Sequence, residues 1–207
     1  MMRQAGREDS PGVADALVRE LNSKLAQTRV ERGKNGLLRM STSPGNVSRS
    51  EVEFRKVLGK AIGAKGTIDL TAVRDKPDVT VDSGVGKNRG QIDLADVHNL
   101  ATHPSRPNLA PSALGLVGHA IEEEFHIQLE KQSFMPAHNA ALNAEANIEG
   151  FRRDPATDFY SSPKDDQYMW HYKSTWQSSP GEYRFGWGVS KTGNHDVHLL
   201  GSGFAIP

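Results

Sequence analysis

The chain contains no cysteine, and that absence removes whole classes of chemistry. Disulfide frameworks, thiolate zinc fingers, iron–sulfur clusters and cysteine nucleophiles are all excluded, so any metal must be held by nitrogen and oxygen. Long apolar runs are missing as well. None approaches the roughly 18 to 20 residues that span a bilayer, and the opening MMRQAGREDSPG lacks the apolar centre of a secretory leader. The expectation is a chain with no membrane span and no signal peptide, cytoplasmic as synthesised, whose export would need a specialised secretion system. Aromatic residues make up 7% of the chain, and all three tryptophans and four tyrosines lie beyond residue 159.

What is present fits one domain. With 207 residues, 36% hydrophobic and a mean hydropathy of -0.57, the chain can bury one good core, and residues 1–207 read as a single unit with residues 1–10 disordered. The net charge of zero hides an uneven distribution. Residues 1–90 carry 17 Lys+Arg against 11 Asp+Glu, residues 91–150 carry 2 against 8, and residues 151–207 carry 6 against 6. A basic first part and an acidic middle can attract each other across a fold, or the basic part can form a nucleic-acid surface.

The element pattern is α+β. Residues 12–30 place Ala14, Leu17, Leu21 and Leu25 at helical spacing after Ser10-Pro11, and residues 50–62 read as a second helix beyond the turn-rich STSPGNVSRS. Residues 66–73, 78–81 and 91–94 are rich in β-branched side chains and read as short antiparallel strands. Prolines 104, 107 and 111 lead to a central helix pair over residues 113–152, with Ser112 as a cap. The last 25 residues suggest a β-hairpin turning at Lys191-Thr192-Gly193-Asn194.

The helix pair carries the chemistry. His119, Glu123, His126 and Glu130 form one ladder, and His138, Glu145 and Glu149 a second. At about 100° per residue, offsets of 4, 7 and 11 return to one line, so each ladder is a stripe of ligand-capable side chains. His119, Glu123 and His126 can supply part of a three- or four-ligand N/O set from one backbone, His138 and Glu145 the remainder, and Glu122 beside the stripe is a candidate general base. The spacing departs from the H-E-x-x-H pattern, because Ala120 follows His119 and the first two histidines are seven apart. Glu123-x-x-His126 matches half of a di-iron bundle signature, with no second half.

Periodicity alone has a plainer explanation. The apolar face Leu114, Val117, Ile121, Phe125 and Leu129 lies about 150° from the first stripe, and Ala140, Ala144, Ile148 and Phe151 lie about 110° from the second, so both stripes are expected to face water. Composition argues the other way. The stripes hold acids and histidines with no lysine or arginine, and Glu122, Glu123, Glu124 and Glu130 would repel one another without a cation.

Three short stretches carry a resemblance: Ile92-Asp93-Leu94, then Leu116-Val117-Gly118-His119 with Glu123, then Ala137-His138-Asn139-Ala140-Ala141 with Glu145. Over residues 90–153 the layout resembles the C-terminal toxin domains of bacterial polymorphic toxins and the related zincin-like effector metallopeptidases. There, a helix of the form L-x-x-H-x-x-x-E follows a short strand and precedes a helix with A-H-x-x-A and a glutamate. The resemblance implies a metal-dependent, peptidase-like hydrolase using Zn2+, with iron or manganese as alternatives. It also implies a protein or peptide substrate, and a cognate immunity protein or carrier as partner. On this reading His119, Glu123, His126, His138 and Glu145 are the metal set, and Glu122, Glu123 and His138 the catalytic groups. The alternatives are a metal-independent effector acting on nucleic acid by His/Glu acid–base chemistry, and a non-catalytic binding module. The aromatic set Tyr160, Tyr168, Trp170, Tyr172 and Trp176 could line a groove, and Gly84 to Gly90 reads as a strand connection.

Overall fold

The computed structural model describes residues 2–3, 11–76, 79, 81–84, 86–102, 112–150, 152–153, 159–161, 168–178, 181–190 and 197–205. Within the segment expected to be disordered, Met2–Arg3 forms strand β1. Helix α1 spans Pro11–Lys24 and buries Ala14, Leu17 and Leu21. It stops six residues short of the expected end. Thr28–Arg32 is instead strand β2, pairing antiparallel with β3, Leu38–Thr42. Thr28 and Val30 are buried while Arg29 and Glu31 are exposed, a period of two that three leucines at helical spacing masked. Two side chains hold this switch. The Asn22 amide bonds both the N–H and the C=O of Val30 at 2.8 Å, and Glu51 accepts from Ala26 N, Gln27 N and Thr28 Oγ1 at 2.8, 2.9 and 2.6 Å. Burial alone would raise the pKa of Glu51, but these donors together with Arg55 lower it.

Helix α2, Arg49–Gly63, starts where expected, with Ser48 accepting from Glu51 N, and buries Phe54, Val57, Leu58 and Ala61. Strand β4 (Ile68–Asp69) pairs parallel with β1, a contact between distant segments that no local pattern announces. Strands β5 (Thr71–Val73), β6 (Asp82–Ser83) and β7 (Gln91–Asp93) form a sheet in the order β5-β7-β6. The small β elements are therefore not all antiparallel, since β5 runs parallel to β7. A parallel pair requires a crossover, which the intervening β6 and a turn of 3-10 helix at Gly86–Asn88 supply. In the segment read as strand 78–81, Asp78 and Thr80 lie outside the described residues, and Val79 and Val81 are buried.

Asp93 ends β7 and caps α3 (Leu94–Ala101) through Ala95 N. The helix pair follows: α4, Ala113–Gln128, with Ser112 capping at Gly115 N, and α5, Phe134–Glu149. Helix α4 is the hub, in contact with α1, α2, α3 and α5. Every residue from Ala113 to Ile121 is buried, so α4 has no solvated face over its first two turns. Two glycines of α4 face α5 closely: a Cβ at Gly115 would collide with Glu149 Oε1 and one at Gly118 with Ile148 Cδ1, and the missing side chains let α5 lie flat on α4. The expected core face of α5 is corrected accordingly: Ala140 and Ala144 are half-buried, and Ala137, Ala141, Leu142, Ala146 and Ile148 are the buried apolar side chains.

Strands β8 (Arg152–Arg153), β9 (Phe159–Ser161), β10 (Tyr168–Ser178), β11 (Gly181–Ser190) and β12 (Val197–Ala205) share one antiparallel sheet in the order β12-β11-β10-β8, with β9 also on β10. The expected hairpin is the β11–β12 pair, running from Glu182 opposite Ala205 to Val189 opposite Val197. Its turn at 191–194 lies outside the described residues, as do the side chains of the aromatic set. With five described helices and these small sheets, the fold is α+β. No described helix is long and apolar enough to cross a membrane.

Candidate metal centre

Antiparallel packing of α5 on α4 turns the two ladders toward each other. His119 and Glu123 from α4 meet His138 and Glu145 from α5, and all four are buried, at 8%, 2%, 7% and 4% exposure. The inner rungs of the stripes do not face water, because α5 covers His119 and Glu123 on α4. Beyond that point the stripe emerges, and Glu130 is exposed.

The contacts run in a line. Glu145 Oε2 lies 2.8 Å from His119 Nδ1. The other nitrogen of that ring, Nε2, is 3.3 Å from His138 Nδ1 and 3.7 Å from Glu123 Oε2. His138 Nδ1 is 2.6 Å from the same carboxylate oxygen. With Glu145 accepting at Nδ1, the His119 ring carries a hydrogen there and turns its Nε2 toward the centre. Phe134, one turn before His138, stacks on that imidazole with centroids 5.1 Å apart and planes 24° from parallel.

His119, Glu123 and His138 can hold a metal ion. Sides of 3.3, 3.7 and 2.6 Å define a triangle small enough that a point about 2 Å from all three atoms lies just out of its plane, which is the reach of a Zn–N or Zn–O bond. The protonation states agree with such a role. Burial alone would push the Glu123 carboxyl up, but hydrogen bonds to His119 and His138 bring it down to about 2. Burial lowers His138, with the neighbouring His119 adding to the effect, so its imidazole is neutral at pH 7. An anionic carboxylate and a neutral imidazole are the forms that ligate. Burying two carboxylates is costly without a compensating positive charge.

No protein-family model, curated protein or solved structure matches the chain. Its site must be read from its own geometry.

The other expected residues lie elsewhere. His126 faces α2, with Glu122 Oε1 3.1 Å from Nε2, Glu130 Oε2 2.6 Å from Nδ1 and Lys60 Nζ 3.4 Å away. Glu122, expected as general base, is bound to Lys60 Nζ at 2.6 Å on that same side. Glu145 stands behind His119 rather than on the triangle, and Glu149 accepts from Ser112 N at 2.6 Å at the start of α4. Three residues were missed. Phe134 had a signal, being four residues before His138 on one helix. Gly84 gave none. Glu124, buried one residue on from Glu123, has its pKa raised by burial, against the pull of Gln128 and Arg89, and its Oε1 makes no hydrogen bond.

Proposed function

We propose that the chain is a metal-dependent hydrolase whose divalent ion, Zn2+ before iron or manganese, is held by His119 Nε2, His138 Nδ1 and Glu123 Oε2. The observation that carries this reading is the 3.3, 2.6 and 3.7 Å triangle of those atoms on three buried side chains. Two imidazoles and a carboxylate form a three-ligand set that leaves the fourth position to water, as catalytic rather than structural zinc sites do. When bound, the ion would acidify that water and polarise a carbonyl oxygen. The chain's own groups orient the site. Glu145 orients the His119 ring, Phe134 stacks on that of His138, and the helix pair buries both. Among hydrolases we favour a peptidase-like effector or toxin domain acting on polypeptide, delivered by a specialised system and paired with an immunity protein, in line with the resemblance of residues 90–153.

A second reading rests on a specific observation. Without an ion, Glu145, His119, His138 and Glu123 form a continuous chain of contacts at 2.8, 3.3 and 2.6 Å. Its two carboxylate–imidazole pairs, Glu145 with His119 and Glu123 with His138, suit metal-independent acid–base chemistry. Metal analysis separates the two. The purified protein should hold about one equivalent of a divalent metal, removable by chelation and restored by Zn2+, with cleavage of an unfolded-protein substrate following the metal. Less than about 0.1 equivalent, with none taken up on reconstitution, overturns the metal reading.

A further inference from the structure

The glycine-rich segment before β7 touches the site, although its sequence suggested only a flexible connection. Gly84, directly after β6, lies against the Glu123 side chain. A Cβ built there overlaps the carboxylate, coming 2.6 Å from its Cδ and 2.8 Å from Phe134 Cε2. Real Cβ atoms do not approach so closely, so any side chain at position 84 must move Glu123, Phe134 or both. These two residues touch the candidate ligand His138, Glu123 through the 2.6 Å bond and Phe134 by stacking.

We propose that Gly84 is a positioning residue of the metal centre: the bare backbone at this point lets the Glu123 carboxylate reach the two histidines. Glycine is not needed here for its backbone freedom. Among the described residues the glycines with positive φ are Gly36, Gly45, Gly86, Gly90 and Gly150, and Gly84 is not one of them, so alanine fits the local conformation and differs only by the volume of its methyl group. That methyl competes with the carboxylate for one space. A buried carboxylate cannot swing aside freely, because leaving its histidine partners costs it the hydrogen bonds that keep it ionised. The effect on Glu123–His138 geometry holds with or without an ion, whereas its effect on affinity rests on the metal reading above.

The variant G84A tests this, with G63A as control because a Cβ at Gly63 meets nothing within 4 Å. In metal-free protein, the downfield N–H proton of the His138–Glu123 hydrogen bond should be present in the wild type and G63A and lost in G84A by NMR. Its retention unshifted in G84A overturns the proposal. In a cobalt(II) titration followed by visible absorption, G84A should bind about 10- to 100-fold more weakly than wild type and with altered d–d bands. In an E123A background, G84A should add nothing further. An equal loss in that background places the effect elsewhere and also overturns the proposal. Should G84A fail to fold, recovery of folding in G84A/E123A supports the carboxylate clash, and no recovery counts against it. If the wild type takes up no cobalt, the metal reading fails, and the NMR comparison still decides the role of Gly84.

Discussion

Helix α4 carries two histidine–glutamate clusters of nearly the same composition, seven residues apart, and they end in opposite environments. At the inner one, His119 and Glu123 meet His138 and Glu145 in a buried space to which the described residues bring no lysine or arginine. At the outer one, His126 sits between Glu122 and Glu130, and Lys60 reaches in from α2 to within 2.6 Å of Glu122 and 4.0 Å of the Phe125 ring centre. The ammonium already supplies the positive charge that the carboxylates require, and it stands where a metal ion would have to bind. The difference teaches that residue type and spacing nominate ligands, while the identity of the nearest cation decides whether a site is left for a metal.

Breaking the inner cluster should have the largest effect. Removing the His138 imidazole by H138A eliminates one of three ligands and takes from Glu123 its closest donor. Metal uptake should fall below detection, and the apo protein should lose about 2 kcal/mol, the worth of a hydrogen bond to a charged group. H126A, measured in the same titration and denaturation series, should leave the stoichiometry unchanged. Equal losses in the two variants would erase the distinction. Next comes E145A, which leaves the ligand triangle intact but frees the His119 ring. Its metal affinity should drop about 10- to 100-fold, the usual cost of losing an orienting carboxylate.

Acid should test the inner cluster in a third way. His138 titrates below its ordinary 6.5 and Glu123 falls from 4.5 to about 2, so for both groups the unfolded chain binds protons more readily than the folded one. Their contributions are fully present at neutral pH. The part due to His138 is lost as pH falls below 6.5, and the part due to Glu123 between pH 4.5 and about 2. Apo E123Q should therefore show a flatter stability curve than wild type across the lower window in chemical denaturation. An unchanged slope would mean that Glu123 is not held ionised by its histidines. The smallest effect belongs to K60M. Its ion pair is partly exposed and is worth less than about 1 kcal/mol, and inner-site metal binding should be the same as in wild type.

Much of this was legible beforehand. The cap at Ser112, the extent of α2 and the start of α4 follow from local rules of spacing and turn chemistry. What went unread depended on distant partners. Thr28–Arg32 looks like the tail of a helix until Glu51 and the β3 strand claim its backbone. Projection put the His/Glu stripe opposite the apolar face and hence in water, but a helix packed on several sides buries more than one face.

By itself the sequence determined the ligand chemistry, nitrogen and oxygen only, because it has no cysteine, and it determined the register of the ladders, because helical periodicity is a property of the chain alone. Only the tertiary structure decided which rungs were brought together as a candidate site. The choice was made by α5 lying on α4 at Gly118, by Lys60 arriving from α2 to neutralise the outer rungs, and by Gly84 leaving room for Glu123. Each is a contact between residues far apart in the chain, and burial and charge compensation, which set ligand competence, are fixed by such contacts.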